Sequence, residues 1–350
     1  MKRVLWLLLA AVVALSAVSC QKIKGHGQKP HSGLFSIEVG GKTGFINGSG
    51  KIVINPQFEK AREFSENVAL IKAGEKWGCI DRSGKIIINP QFDEAGDFNE
   101  GLAVVRVGDL WGFVDQTGRL AIAPQFASIK VLGAIHLPAV TAFAEGLAGV
   151  RINGKWGFVD RTGRTVINPQ FDEVRPFSEG MAAVRVGTKM GYIDRTGRYL
   201  INPQYEVTIL LDAIALNMHA FSESLAMVKI EKQYGFIDRT GKIVINPQFE
   251  MTLGFHDGLA AVGVGGKNGF VDRAGRYVIN PQYDDVGSFF EGLAAAKVGG
   301  RWGFIDRTGK IVINPQFDDV RYFDGGLCWV KLGDKTGYIN HAGSYIWGPQ

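Results

Sequence analysis

One phrase constrains this chain more than anything else in it. RWGFIDRTGKIVINPQFDD at 301–319 returns almost unchanged as KWGFVDRTGRTVINPQFDE at 155–173. The Gly of the W-G pair falls at Gly44, Gly78, Gly112, Gly157, Gly191, Gly235, Gly269, Gly303 and Gly337, in steps of 34, 34, 45, 34, 44, 34, 34 and 34 residues. Pro56, Pro90, Pro124, Pro169, Pro203, Pro247, Pro281, Pro315 and Pro349 keep the same steps. Nine units with a 34-residue period, interrupted by insertions of 11 and 10 residues, mark a repeat architecture. That displaces the ordinary reading of 350 residues as two or three globular domains.

Residues 292–324 show what a unit should be. GLAAAKV and WGFID read as two strands joined by a tight Gly-Gly turn, and Asn153-Gly154 at the same place is a stronger hairpin signal. DRTG follows: Asp bonds the backbone two residues on, and Gly accepts the positive φ of a G1 bulge. KIVIN is a third strand, ended by Pro315, which has no N–H. Both parities of WGFID and IVI are apolar, so both sheet faces should be covered by neighbours. Paired connector aromatics, Phe58 with Phe64 or Phe317 with Phe323, should pin one unit to the next. A single unit is too small to fold alone, so stability must come from stacking.

The W-G-F-I-D-x-x-G-K core, followed by I-N-P-Q-F-D and F-x-E-G-L-A, resembles the bacterial WG-repeat family, also called KWG repeats, over residues 33–350. The resemblance implies a β-rich repeat of envelope and secreted proteins, with no general enzymatic role. The Trp departs from the pattern at Thr43, Met190, Tyr234, Asn268 and Thr336. The fold expected is all-β: nine three-stranded meanders stacked in an open solenoid, with a closed propeller-like ring as the alternative. The open form is favoured because the chain supplies nine meanders but eight connectors, and nine blades would exceed the usual 4–8.

The first residues are of another kind. MKR, then the apolar VLWLLLAAVVAL, then SAVSC, read as a secretion signal too short to span a bilayer. The stretch before Cys20 resembles a lipoprotein box, which implies cleavage after residue 19 and lipid on the Cys20 thiol; plain secretion is the alternative. Residues 20–33 form a polar tether and 34–350 the repeat domain. The expected location is the cell envelope, at the outer membrane if the host is Gram-negative, with secretion as the alternative. Cys79 and Cys328 sit where small apolar residues pack and read as buried free thiols.

Catalysis finds little support. Asp81, Asp115, Asp160, Asp194, Asp238, Asp272 and Asp306 are one turn residue copied seven times, whereas catalysis needs one unusual constellation. The six His show no metal-ligand spacing. No catalytic residue, metal or cofactor is expected, and an enzyme of unrecognised type is the last alternative.

Two features offer binding. Insertions near 127–142 and 206–220 occupy the same connector position and are apolar; Ile135, His136, Leu137, Leu210, Leu211 and Ile214 would form partner-binding flaps, unless the flaps cap local core. The turn cations Arg82, Arg161, Arg195, Arg239, Arg273 and Arg307 would form a basic edge for an anionic envelope polymer, and acids such as Asp93, Glu94, Asp172, Glu173, Asp284, Asp285, Asp318 and Asp319 an opposing one. The expectation is a monomeric, envelope-anchored scaffold that binds protein or glycan. It touches membrane only through its lipid and binds no nucleic acid.

Overall fold

The Gly and Pro that set the period lock each unit internally. A Cβ placed on Gly44 would lie 2.5 Å from the Pro56 nitrogen, and one on Gly303 would lie 2.7 Å from that of Pro315. The other units through the eighth repeat this approach. Glycine is needed here for closeness, not for φ. The third strand crosses the second at a bulge that carries the proline: Trp302 pairs with Phe317 and Phe304 with Ile313, with a register shift between. Pro315 therefore does not end the strand, as expected from sequence; Ile311–Phe317 runs through it, because a bulge needs no N–H there.

The computed structural model describes residues 33–131, 135–206 and 220–348. Each unit is an antiparallel meander, as in Leu293–Val298, Arg301–Ile305 and Ile311–Phe317, and all nine repeat this plan. The connector adds a short lead strand that pairs with the following unit, as Asp319–Val320 does with Lys331 and Val330. Units five and six are joined by one further bridge, Glu206 to Lys229. Five hairpin turns have positive φ at both central residues, 50° and 85° for Asn153 and Gly154, whereas in the other four only Gly74, Gly108, Gly187 or Gly333 carries it. Outside unit five the third strand is an edge. Of Ile311–Phe317 only Ile313 and Phe317 are buried, and Ile311 and Val312 stay 43% and 44% exposed, so the expectation of two covered faces fails for this strand.

Units stack through aromatic pairs, though not those expected. Phe64 meets Phe45 of the second strand and Phe323 meets Phe304, at 4.8 and 4.9 Å between centroids. The same T-shaped contact recurs at Phe113–Phe143, Phe158–Phe177, Tyr192–Phe221, Phe236–Phe255 and Phe270–Phe289. Two polar ladders flank it. The entry glutamates hand on from unit to unit: Glu66 accepts from the N–H groups of Glu100 and Gly101, and Glu100 from those of Glu145 and Gly146. At the other end Asp93 joins the Lys76 ammonium to the Gly108 N–H, and Asp172 joins Lys155 to Gly187.

The array does not stay open. The buried side chains form nine clusters, each shared by two neighbouring units, and the ninth joins unit one to unit nine through Phe35, Ile37, Ile46, Leu327 and Tyr338. Gly50 meets the Ile346 backbone carbonyl across the join, at the turn position where Gly84 meets the Ile54 side chain. The ring, not the open solenoid, is the form adopted. No strand is shared across the join and no sheet closes on itself among the described residues. Closure does not require a ninth connector. Phe35 supplies the bulk instead: it stands where the other units carry Ala69, Ala103, Ala148, Ala182, Ala226, Ala260, Ala294 or Cys328, and it meets Tyr338 at 5.5 Å.

Candidate binding cavity at the ring seam

The repeated groups are consumed by structure. Asp238 Oδ1 accepts from the Thr240 N–H and hydroxyl and from the Lys242 N–H. Asp81, Asp115, Asp160, Asp194 and Asp306 do the same with their own turns. These bonds, the hydroxyl's foremost, hold each carboxyl below its ordinary value of 3.8.

The turn arginines are exposed but do not stand alone. Five of the six reach the entry turn of the preceding unit. Arg161, Arg195, Arg239 and Arg307 lie beside Gly101, Gly146, Gly180 and Gly258, and the Arg273 guanidinium donates to the Glu223 carbonyl. Arg82 approaches Asn67 of its own unit. Arg239 Nη1 is 3.8 Å from Glu179, so a ladder carboxylate shares this rim with the cations. Of the opposing acids, Asp93, Asp172, Asp284 and Asp318 are tied to the neighbouring Lys76, Lys155, Lys267 and Arg301.

The first insertion forms a small hairpin, with Ile129–Val131 paired to Ile135–Leu137. Ile129 packs on the core shared by units three and four. Leu210, Leu211 and Ile214 lie outside the described residues, as does Cys20. Cys79 and Cys328 are buried and free, and burial pushes the Cys79 thiol up to about 12. Among the described residues no group of three or more His, Cys, Asp and Glu is placed to hold a metal.

Several departures from the repeat meet at the seam. A cavity of about 230 Å³ opens between unit one and unit nine. Thr43 and Thr336, one on each side, stand where the repeat has Trp. Two indoles are missing there, and the space is left. Two others appear nearby: Trp347 takes the place of the third-strand Ile, and Trp329 lies on the first strand. The relocation has a counterpart in unit two. There the Arg62 guanidinium covers the repeat's own Trp77 at 4.9 Å, whereas the equivalent Arg321 covers Trp329 at 5.0 Å.

Beside this wall a polar cluster closes the ring. Glu63 accepts from the Ser36 N–H at 3.1 Å and the Ser36 hydroxyl at 2.5 Å. The Tyr338 hydroxyl donates to the Ser36 carbonyl at 2.9 Å, and Arg321 Nη1 lies 3.9 Å from Glu63. Burial, with Glu63 beside it, holds the Tyr338 phenol well above its ordinary range and so protonated as a donor. Sequence reasoning passed over this site. Its signals were there: Thr43 and Thr336 as lost tryptophans, and Phe35, Trp329 and Trp347 as aromatics off the repeat pattern. Only closure brings them together.

Against known proteins, the chain matches the WG containing repeat nine times, over residues 44–77, 77–111, 111–131, 138–156, 156–189, 190–233, 234–267, 269–302 and 302–335. No curated protein matches it. Among solved structures, the crystal structure of the eukaryotic initiation factor is similar at 13% identity and a TM-score of 0.61, covering 92% of this chain and 96% of that one. At such identity the likeness concerns the fold alone. Dihydro-heme d1 dehydrogenase NirN in complex with DHE follows at 9% identity and a TM-score of 0.47, covering 96% and 80%. Hsv2p of Kluyveromyces lactis stands at 8% and 0.41, covering 72% and 94%. With repeat matches along almost all of residues 44–335, the chain belongs to the family of proteins built from the WG containing repeat.

Proposed function

We propose that the protein is a non-enzymatic scaffold, held at the cell envelope through Cys20, that binds an envelope protein or glycan in the seam cavity. One observation carries this reading: four departures from the repeat, Thr43, Thr336, Trp329 and Trp347, line one cavity between the two end units. Side chains that recur in every unit serve turns and ladders, so selection for a ligand would show where the repeat is broken. The basic-edge reading is weaker, because ladder glutamates and turn aspartates lie beside the same arginines.

The test is capture of envelope components on the wild-type protein and on Trp329→Ala. Loss of the same partner from the variant, with a cooperative thermal transition retained, is the expected result. A partner that survives Trp329→Ala but is lost when residues 130–140 are deleted would move the site to the first insertion. The anchor is tested separately by mass spectrometry of the native protein, where an unmodified Cys20 thiol would reject it.

A further inference from the structure

We infer that the seam cavity takes one neutral pyranose ring, the end or a single residue of an envelope glycan. This rests on the reading of the cavity as the binding site and narrows it to one class of ligand.

Size comes first. About 230 Å³ is below the roughly 300–1,000 Å³ of pockets that enclose drug-sized molecules, so the cavity suits one ring and not a folded segment of polymer. Chemistry comes next. Trp347 and Trp329, the latter covered on one face by the Arg321 guanidinium, line the cavity with partly buried indoles. One side of a pyranose presents axial C–H groups whose slight positive charge favours the negative face of an indole. Its rim presents hydroxyls, each both donor and acceptor. Thr43 and Thr336 offer hydroxyls to that rim, Glu38 an acceptor and Arg321 a fork of donors.

Charge decides between ligands. Arg321 is offset by Glu63 at 3.9 Å, and Glu38 lies on the opposite wall. An acidic sugar would give up its hydration without meeting a net positive site. An apolar side chain of a protein partner would cover the threonine hydroxyls and leave them unpaired. A neutral ring with an apolar face and a hydroxyl rim avoids both costs.

The repeat itself supplies the test. Thr336→Trp restores the residue that other units carry at this position, as Trp302 does in unit eight, and so fills the cavity with a side chain the fold already accommodates. The full-length protein would be titrated with cellotriose, maltotriose and chitotriose, followed by tryptophan fluorescence and saturation-transfer NMR. Polygalacturonate and an apolar tripeptide serve as the other arms. The expected result is binding of at least one neutral trisaccharide, weakened about tenfold or more by Trp329→Ala and by Thr336→Trp. Thr336→Trp should keep a cooperative thermal transition. Binding of the trisaccharide unchanged in Thr336→Trp overturns the inference, as does failure of all three sugars in the wild type. If the tripeptide binds and Thr336→Trp abolishes it, the pyranose inference fails while the cavity stands as the binding site. Binding of polygalacturonate alone, unchanged in both variants, defeats the cavity reading as well.

Discussion

The interface between units seven and eight and the one between units nine and one do the same job with different parts. In the first, Phe270 meets Phe289 at 4.7 Å, and the chain itself crosses in the connector. In the second, no chain crosses among the described residues, and Phe35 reaches from the first strand to Tyr338 in place of a connector phenylalanine. The turn next to it differs too: Asn47 and Asn340 replace the turn Asp in the two units that flank the seam. A repeat array can therefore close without repeating its joint. What closure requires is apolar volume at the meeting faces and satisfied polar groups at their edge, and a handful of substitutions in the end units supply both.

The largest test of this comparison sets Phe270→Ala against Phe35→Ala. Both remove a buried ring and should cost about 3–5 kcal/mol. Only Phe35→Ala should open the ring, seen as lost hydrogen-exchange protection in 34–39 and 335–340 while 268–290 stays protected. Equal loss in both regions would make the seam an interface like any other. Next, Glu63→Ala and Glu100→Ala each strip N–H groups of a charged acceptor, at about 1.5–3 kcal/mol by chemical denaturation. Glu63→Ala should again act locally at the seam.

Two tyrosines at one repeat position sharpen the comparison further. Tyr338→Phe removes the bond to Ser36 and should cost about 1 kcal/mol. Tyr192, fully buried in the fifth unit, has no hydrogen-bond partner for its hydroxyl among the described residues, so Tyr192→Phe should be neutral or slightly stabilising. The smallest effect is Asp238→Asn, which copies the seam turns and should cost under about 0.5 kcal/mol at neutral pH. The Asp238 carboxyl is held below 3.8, chiefly by the Thr240 hydroxyl. Its stabilisation is thus complete above that value and lost as pH falls through the lower folded one. Asp238→Asn should flatten the acid-side loss of stability, and an unchanged acid limb would remove the turn carboxylate from the account.

The unit was legible in the sequence because its signals are local. The Asp-to-Gly turn, the Asn153-Gly154 hairpin and the strand runs all act within a few residues. The role of Pro315 was misread because its partner Gly303 lies twelve residues away, and only their contact shows a bulge. Interface partners were misassigned for a related reason. Phe64 has an aromatic neighbour at Phe58 in sequence, but the stacking of sheets brings it to Phe45. The seam was least legible of all. Its residues lie some three hundred positions apart, as Tyr338 and Ser36 do, and their meeting depends on the small rotation between units, which no single unit encodes.

The route of the chain through the seam has a mechanical consequence. Leu34 and Trp347 belong to the two units that meet there. A pull on the backbone ahead of Leu34 would load the one joint with no covalent crossing, before any connector came under tension. The first strand could peel from Tyr338 and Trp329 while eight interfaces kept their shape, which would make the join the force-sensitive element of the ring.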